Sequence, residues 1–138
     1  SKVTRGLSKK YSDRVIDTPI SESAMIGMSL GLAVQGFIPI VEIMFFDFMT
    51  LCADQLFNIG RKLRDIHDIR FKMIVRTMQA SAEYGPTHSQ SMYPLLEGLG
   101  MPYYVCFKGN VKKLYNRVLS EDDNIIVIIE RKMDYANS

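Results

Sequence analysis

The chain has 138 residues, of which 47% are hydrophobic and 23% charged, and its mean hydropathy is zero. This composition is typical of a single globular domain and argues against a disordered or fibrous segment. The formal net charge is only +2, with 17 basic and 15 acidic residues mixed along the chain, which argues against a nucleic-acid-binding surface. A domain of this length buries roughly 70% of its unfolded surface, so Cys52 and Cys106 need not form a disulfide.

The sequence also lacks the features of a membrane protein. No apolar run reaches the ~18 residues that a membrane span requires, and the first residues lack the apolar core of a signal peptide. We therefore expect no membrane association and a cytoplasmic location, or the mitochondrial matrix if the protein is eukaryotic.

Four apolar segments rich in β-branched and aromatic residues predict β-strands. Each is short and bounded by Gly, Pro, Asn or charged residues. Their apolar character is nearly continuous, as in strands of a parallel sheet that is covered on both faces. The predicted strands are residues 37–43, 71–75, 103–107 and 125–129, and residues 13–17 resemble a further strand.

A first helix is predicted between residues 13–17 and the first of the four strands. Ser21 or Ser23 can cap it, and Gly36 stands where it would end. Its apolar stripe is Met25, Met28 and Leu32, and its small-residue face is Gly27 and Gly31. Because small residues allow close backbone approach, this glycine face could pack tightly against a neighbouring subunit.

Three more helices complete the pattern. The second is predicted from about residue 47 to residue 64 with Asp47 as its cap, and the third begins near Thr87 or Ser89. The fourth begins at Asn110 and runs to the turn at residues 120–124. Strands that alternate with helices in this way predict an α/β fold, with a parallel sheet flanked by helices.

Ligands of open parallel sheets gather at the carboxyl ends of the strands, and three notable side chains fall there. Glu22 stands at a helix start, where from position alone an acidic residue most often only faces the helix dipole. Glu42 lies inside an apolar strand and is interpreted as a structural hydrogen-bonding or interface residue. His88 precedes a helix and, taken alone, is more often a surface or capping histidine than a catalytic one. With two histidines, two distant cysteines and no phosphate-binding glycine motif, we expect no metal site in this chain.

Together these segments resemble the beta-type subunits of thiamine-diphosphate-dependent 2-oxoacid dehydrogenases. The resemblance extends to about residue 98 and includes Gly27, Gly31 and the pair Asp54-Gln55. It is carried by residues 14–22, 39–48 and 84–91, which read RVIDTPISE, PIVEIMFFDF and YGPTHSQS. It implies that residues 1–138 form a single pyrimidine-binding domain of transketolase-like fold, with no evident opening strand and without the carboxyl-terminal domain of such subunits.

The same resemblance implies thiamine diphosphate as cofactor and gives roles to particular residues. Glu22 would hydrogen-bond the N1′ nitrogen of the aminopyrimidine and thereby promote loss of the thiazolium C2 proton. The backbone at Ile20 and the side chains of Met44 and Phe48 would line the pyrimidine pocket. His88 would face the substrate as a proton donor or hydrogen-bond partner. An alpha-type partner subunit would hold the magnesium-bound diphosphate, because this chain contains no Gly-Asp-Gly motif.

We therefore expect the pyrimidine-binding half of a decarboxylating 2-oxoacid dehydrogenase component, active only with its alpha-type partner. The beta-type chain would also associate with itself through the Gly27/Gly31 face, and a lipoyl acyltransferase is a further candidate partner. Two alternatives remain open. One is a transketolase-like or acetoin-cleaving thiamine enzyme, because Glu22 chemistry is common to all of them. The other is a catalytically retired assembly domain, because residues 77–83 differ from the glycine-rich, arginine-bearing loop of the family. The sequence does not identify the 2-oxoacid.

Overall fold

Four parallel strands form one sheet in the order β1-β2-β4-β3. The computed structural model describes residues 4–122 and 124–135. The strands are β1 (Ile40–Ile43), β2 (Met73–Gln79), β3 (Tyr103–Cys106) and β4 (Ile125–Arg131). The sheet and its flanking helices confirm the predicted α/β class.

The four apolar segments are all strands, but five of their eight limits differ from prediction, with the largest shifts in β1 and β2. The strand β2 continues through Arg76 to Gln79, because the charge of Arg76 is paired within the sheet and does not end the strand. The strand β1 begins only at Ile40, which pairs with Ile74. The strand expected at residues 13–17 is wrong: residues 13 and 14 belong to a turn, residues 15–17 have no regular secondary structure, and they are not part of the described sheet.

The core lies on both faces of the sheet, and successive residues of β4 point to opposite sides. Ile125, Val127 and Ile129 belong to the larger cluster. Ile126 and Ile128 belong to the smaller one, with Leu114 and Val118 of helix α5 (Val111–Ser120). Covering on both faces explains why the strands are almost continuously apolar.

The first predicted helix is α2 (Glu22–Val34), which follows a short α1 (Leu7–Lys10). Ser21 occupies the N-cap position without a side-chain capping bond, whereas the Ser23 hydroxyl donates to the carbonyl of Leu51. The stripe that packs onto the sheet is not the predicted one, since Met28 and Leu32 are exposed. The buried residues of α2 are Ile26, Ser29, Leu30 and Ala33. Met28 and Leu32 therefore lie on the outer side of α2.

The second predicted helix is three successive helical pieces. They are a 3₁₀-helix (Phe46–Cys52), a π-helix (Asp54–Gly60) and α3 (Arg61–His67). Asp47 is not their cap, because the N-cap is Phe45 and the Asp47 carboxylate instead accepts a hydrogen bond from the backbone of Gln90.

The third helix begins later than predicted, while the fourth has the predicted limits. Residues 86–88 form a turn and residues 89–92 have no regular secondary structure, so α4 (Tyr93–Gly98) begins only where Pro94 can occupy the first helical turn without losing a bond. Asn110 is the N-cap residue of α5, although its side chain accepts from the backbone of Phe107. Short 3₁₀-helices at Ala82–Tyr84 and Lys132–Tyr135 complete the described residues. None of the helices in this part of the chain is long and apolar enough to cross a membrane.

The side-chain ammonium of Lys72 caps the carboxyl end of α5. The Nζ of Lys72 donates to the backbone carbonyls of Val118 at 2.8 Å and Leu119 at 3.3 Å, and also to the carbonyl of Glu121. The last carbonyls of a helix lack partners within the helix and carry partial negative charge, so a cation is favourable there. Lys72 thereby ties the end of α5 to the start of β2.

Gly60 stands where the π-helix passes closest to β4, and its replacement by Ala is expected to destabilise the domain. A Cβ at this position would lie 2.5 Å from Ile125 Cδ1 and 3.1 Å from both the Gln55 carbonyl and Leu30 Cδ2. Overpacking of this kind costs ~1–3 kcal/mol. Chemical denaturation of Gly60→Ala measures the loss. Gly98→Ala is the matched control, because its Cβ would meet nothing within 4 Å and it should be neutral or slightly stabilising. Equal stability of the two variants would contradict the close approach.

Candidate functional site

An aromatic cluster forms between the segment that follows β1 and the segment that follows β2. We define it as Phe45, Phe48, Tyr84 and His88. The imidazole of His88 meets the rings of Phe45 and Phe48 edge-on, with centroid distances of 4.6 Å and 5.4 Å. The two phenylalanine rings lie 5.8 Å apart, and Tyr84 lies 6.3 Å from Phe45. Two segments that are distant in sequence thus meet around one imidazole, and the structure brings Phe48 and His88 together.

The polar atoms of His88 are held by its own turn. Its Nδ1 lies 2.8 Å from the Thr87 hydroxyl, and its backbone N–H donates to the Gly85 carbonyl at 3.2 Å. When the hydroxyl donates to Nδ1, the ring proton resides on Nε2. This half-buried imidazole can therefore offer one N–H to a bound molecule.

Glu22 is the first residue of α2, and its half-buried carboxylate forms no hydrogen bond or salt bridge with the described residues. It lies close to Cys52 at the end of the 3₁₀-helix: burial and then the charge of Glu22 raise the pKa of the Cys52 thiol from 9.0 to about 12. The 3₁₀-helix that ends beside Glu22 also carries Phe48 near its start. Glu22 is thus an acceptor that protein groups leave available, at the positive end of a helix dipole.

The two remaining predicted cofactor-binding residues are exposed in this chain. Ile20, in the segment before α2, is 84% exposed, and Met44, just after β1, is 52% exposed. Met44 also borders a narrow cavity beside Glu42 and Arg76. A carboxylate acceptor that has no partner among the described residues, with apolar and aromatic side chains on the adjoining segments, fits a flat, nitrogen-containing heterocycle.

Glu42 belongs to an ion-pair network that was not predicted from the sequence. Arg76, which is 8% exposed, binds Glu130 through two bonds of 2.8 Å and 2.6 Å and binds Glu42 at 2.7 Å. Tyr135 accepts from Arg76 at 3.2 Å and donates to Glu130. Burial lowers the pKa of Arg76. The hydrogen bonds to Glu130 and the charges of Glu130 and Glu42 raise this pKa by more, so it lies above the usual value for arginine. The structural interpretation of Glu42 is confirmed.

Sequence reasoning missed Arg76, Glu130 and the tertiary bond of Asp47. A signal for the network existed, since charged residues stand in three apolar strands that are neighbours in the sheet. In the described ranges, no three histidine, cysteine or acidic side chains are grouped so as to hold a metal ion.

The family description "Transketolase, pyrimidine binding domain" matches residues 1–137. The chain belongs to this family. The resemblance noted in the sequence and the transketolase-like fold expected from it are both confirmed.

Beta subunits of oxidoreductases and dehydrogenases are among the relatives of this pyrimidine-binding domain. It is 36% identical over 129 residues to the beta subunit of an acetoin:2,6-dichlorophenolindophenol oxidoreductase of Cupriavidus necator, covering 90% of this chain and 38% of that protein. It is 35% identical over 142 residues to the beta subunit of a 2-oxoisovalerate dehydrogenase of Pseudomonas aeruginosa, covering 94% and 39%. The human mitochondrial pyruvate dehydrogenase E1 beta subunit is 50% identical over 62 residues, which cover 44% of this chain and 17% of that subunit. The first two comparisons span about two fifths of those beta subunits, and the third a smaller part.

Proposed function

We propose that this domain is the pyrimidine-binding half of the active site of a thiamine-diphosphate-dependent, decarboxylating 2-oxoacid dehydrogenase component. The observation that carries the proposal is the carboxylate of Glu22 at the start of α2, which has no partner among the described residues. The neighbouring Ser23 bonds to Leu51 and so places it beside the 3₁₀-helix that bears Phe48. Similarity to beta subunits of 2-oxoisovalerate and pyruvate dehydrogenases supports the choice of reaction.

In this proposal each site residue has a distinct task. Glu22 accepts a hydrogen bond from N1′ of the aminopyrimidine and holds a proton there. The Ile20 backbone orients the ring, while Met44 and Phe48 pack against it and exclude water. His88 offers a proton or hydrogen bond from Nε2 to the substrate. When bound, the cofactor supplies the nucleophilic carbon that attacks the 2-oxoacid carbonyl.

The remainder of the active site is assigned to other chains. The beta-subunit names of the relatives imply an alpha-type partner, and we assign to it the diphosphate and magnesium, because this chain has no Gly-Asp-Gly motif. Self-association is assigned to α2, because among the described residues a Cβ at Gly27 or Gly31 would meet nothing within 4 Å outside its own stretch of helix, and Met28 is exposed. A lipoyl acyltransferase remains a candidate third partner, and the location is cytoplasmic or mitochondrial.

An acetoin-cleaving enzyme is the second candidate, because two of the relatives are acetoin oxidoreductase beta subunits that match 90% and 96% of the chain. The residues of this chain would have the same roles toward the cofactor in both reactions. Turnover of the assembled enzyme with a panel of 2-oxoacids and with acetoin distinguishes the two candidates.

The half-site proposal predicts little thiamine diphosphate binding by this domain alone. Most of the affinity for such a cofactor comes from its magnesium-bridged diphosphate, which needs oxygen ligands and backbone donors at a loop. Titration calorimetry with cofactor and magnesium should show weak heats until the alpha-type subunit is added, and then magnesium-dependent binding. The alpha-type subunit alone is the control. A tight, magnesium-dependent complex with the lone domain would contradict the proposal.

A further inference from the structure

The carboxylate of Asp47 makes a hydrogen bond across a long stretch of chain. Its Oδ1 accepts from the backbone N–H of Gln90 at 2.9 Å, although the two residues are 43 positions apart. Asp47 is only 6% exposed, and its Oδ2 is buried without a hydrogen-bond partner among the described residues. Burial of a carboxylate costs free energy. The hydrogen bond from the Gln90 N–H offsets part of this free-energy cost.

Both residues of this hydrogen bond are near His88 or near the rings that contact it. Gln90 follows His88 by two positions, and Asp47 lies between Phe45 and Phe48, whose rings meet the imidazole at 4.6 Å and 5.4 Å. The 3₁₀-helix that carries Asp47, together with its N-cap residue Phe45, therefore supplies both the aromatic contacts of His88 and the acceptor that holds the backbone next to it.

The other hydrogen bonds of the His88 turn are internal. The His88 N–H and the Ser89 hydroxyl both donate to the Gly85 carbonyl, at 3.2 Å and 2.7 Å, and the Gln90 side chain donates to the Pro86 carbonyl at 3.0 Å. These bonds shape the turn but do not join it to the 3₁₀-helix. The Asp47 carboxylate does make that connection.

We propose that Asp47 is a positioning residue, which fixes the imidazole of His88 relative to Phe45 and Phe48 through the Gln90 backbone. This inference rests on the proposed function, because it requires His88 to act on the substrate. The useful property of Asp47 is its acceptor oxygen, which asparagine also provides and alanine lacks.

The test compares variants in the enzyme assembled from the protein that carries this domain and its alpha-type subunit. Asp47→Ala should lower kcat/KM by about 10- to 100-fold, because small displacements of a reacting group cost rates of this order. Asp47→Asn should retain the wild-type value within about threefold, since the acceptor remains. Asp65→Ala is the matched control, because Asp65 is an exposed carboxylate on α3.

A double-mutant cycle separates positioning from a general structural role. In a His88→Ala background, Asp47→Ala should lower the rate little further, because two residues that act through one group are not additive. Thermal unfolding checks that each variant enzyme is folded at the assay temperature. Additive losses, or an Asp47→Asn variant as impaired as Asp47→Ala, would overturn the positioning role. Absence of any thiamine-dependent turnover in the wild-type enzyme would instead overturn the proposed function.

Discussion

Replacement of Glu22 by glutamine is expected to preserve the fold and to slow C2 deprotonation of the bound cofactor by ~10²–10⁴-fold. The fold should survive because the carboxylate bonds to no described residue, and loss of its charge at the start of α2 costs only ~0.3–1 kcal/mol. The rate should fall because a neutral amide cannot hold a proton on N1′ as a carboxylate does.

Hydrogen–deuterium exchange at C2 of the cofactor in the assembled enzyme measures this step without the later chemistry. Glu97→Gln is the matched control, since Glu97 is an exposed helical carboxylate that accepts a bond from Tyr103, which glutamine can also accept. Exchange at the wild-type rate in the Glu22 variant would show that another group activates the cofactor. Calorimetric binding of cofactor by the variant shows whether any loss lies in the chemical step.

Replacement of Arg76 by methionine is expected to destabilise the domain strongly. It would leave the carboxylate of Glu42 and the buried carboxylate of Glu130 without their shared cation. Removal of one partner from a buried pair typically costs ~3–5 kcal/mol. Because Arg76 joins residues of β1, β2 and β4, the loss should appear as a lower free energy of global unfolding.

Denaturant unfolding of the purified domain measures this effect. Arg70→Met is the control, because Arg70 pairs with Asp122 at 3.8 Å and both side chains are largely exposed, at 70% and 80%. An exposed pair of this kind contributes ~0.2–1 kcal/mol. Adding Glu42→Gln and Glu130→Gln to Arg76→Met should recover part of the stability, since the unpaired charges are then removed. If Arg76→Met lowers the free energy of unfolding no more than Arg70→Met does, the ion-pair network does not stabilise the sheet.

The strands were predictable because a strand covered on both faces must be apolar along its length, whereas the helices at the sheet edge were harder to predict. The buried residues Phe46, Met49 and Cys52 recur every three positions, the repeat of a 3₁₀-helix, and Leu56 and Gly60 then lie four apart. If 3.6 residues per turn are assumed throughout, the 3₁₀-helix and the π-helix are predicted as one α-helix. The exposed Met28 shows a second limit, because apolar spacing alone does not distinguish a core face from a surface that other chains could cover.

Local reasoning also limited the description of the site. Asp47 was predicted to be a helix cap because only its sequence neighbours were considered, whereas its hydrogen-bond donor is the backbone of Gln90. Arg76 was predicted to lie beyond a strand because charge is unfavourable in a buried strand, but its compensation comes from Glu42 and Glu130 on two other strands. Glu22 and His88 stood out by their positions in the sequence, but their predicted roles came only from the resemblance of the surrounding segments to a known family.

The ammonium of Lys72 makes the end of α5 a cation site whose cation is part of the polypeptide. A free ion would have to be drawn from solution and would occupy such carbonyls in proportion to its concentration. A tethered ammonium has a fixed, high effective concentration there, so the occupancy of these carbonyls follows from folding and not from the salt around the protein. The attachment of α5 to the sheet should accordingly be the same whichever monovalent cation the surrounding solution supplies.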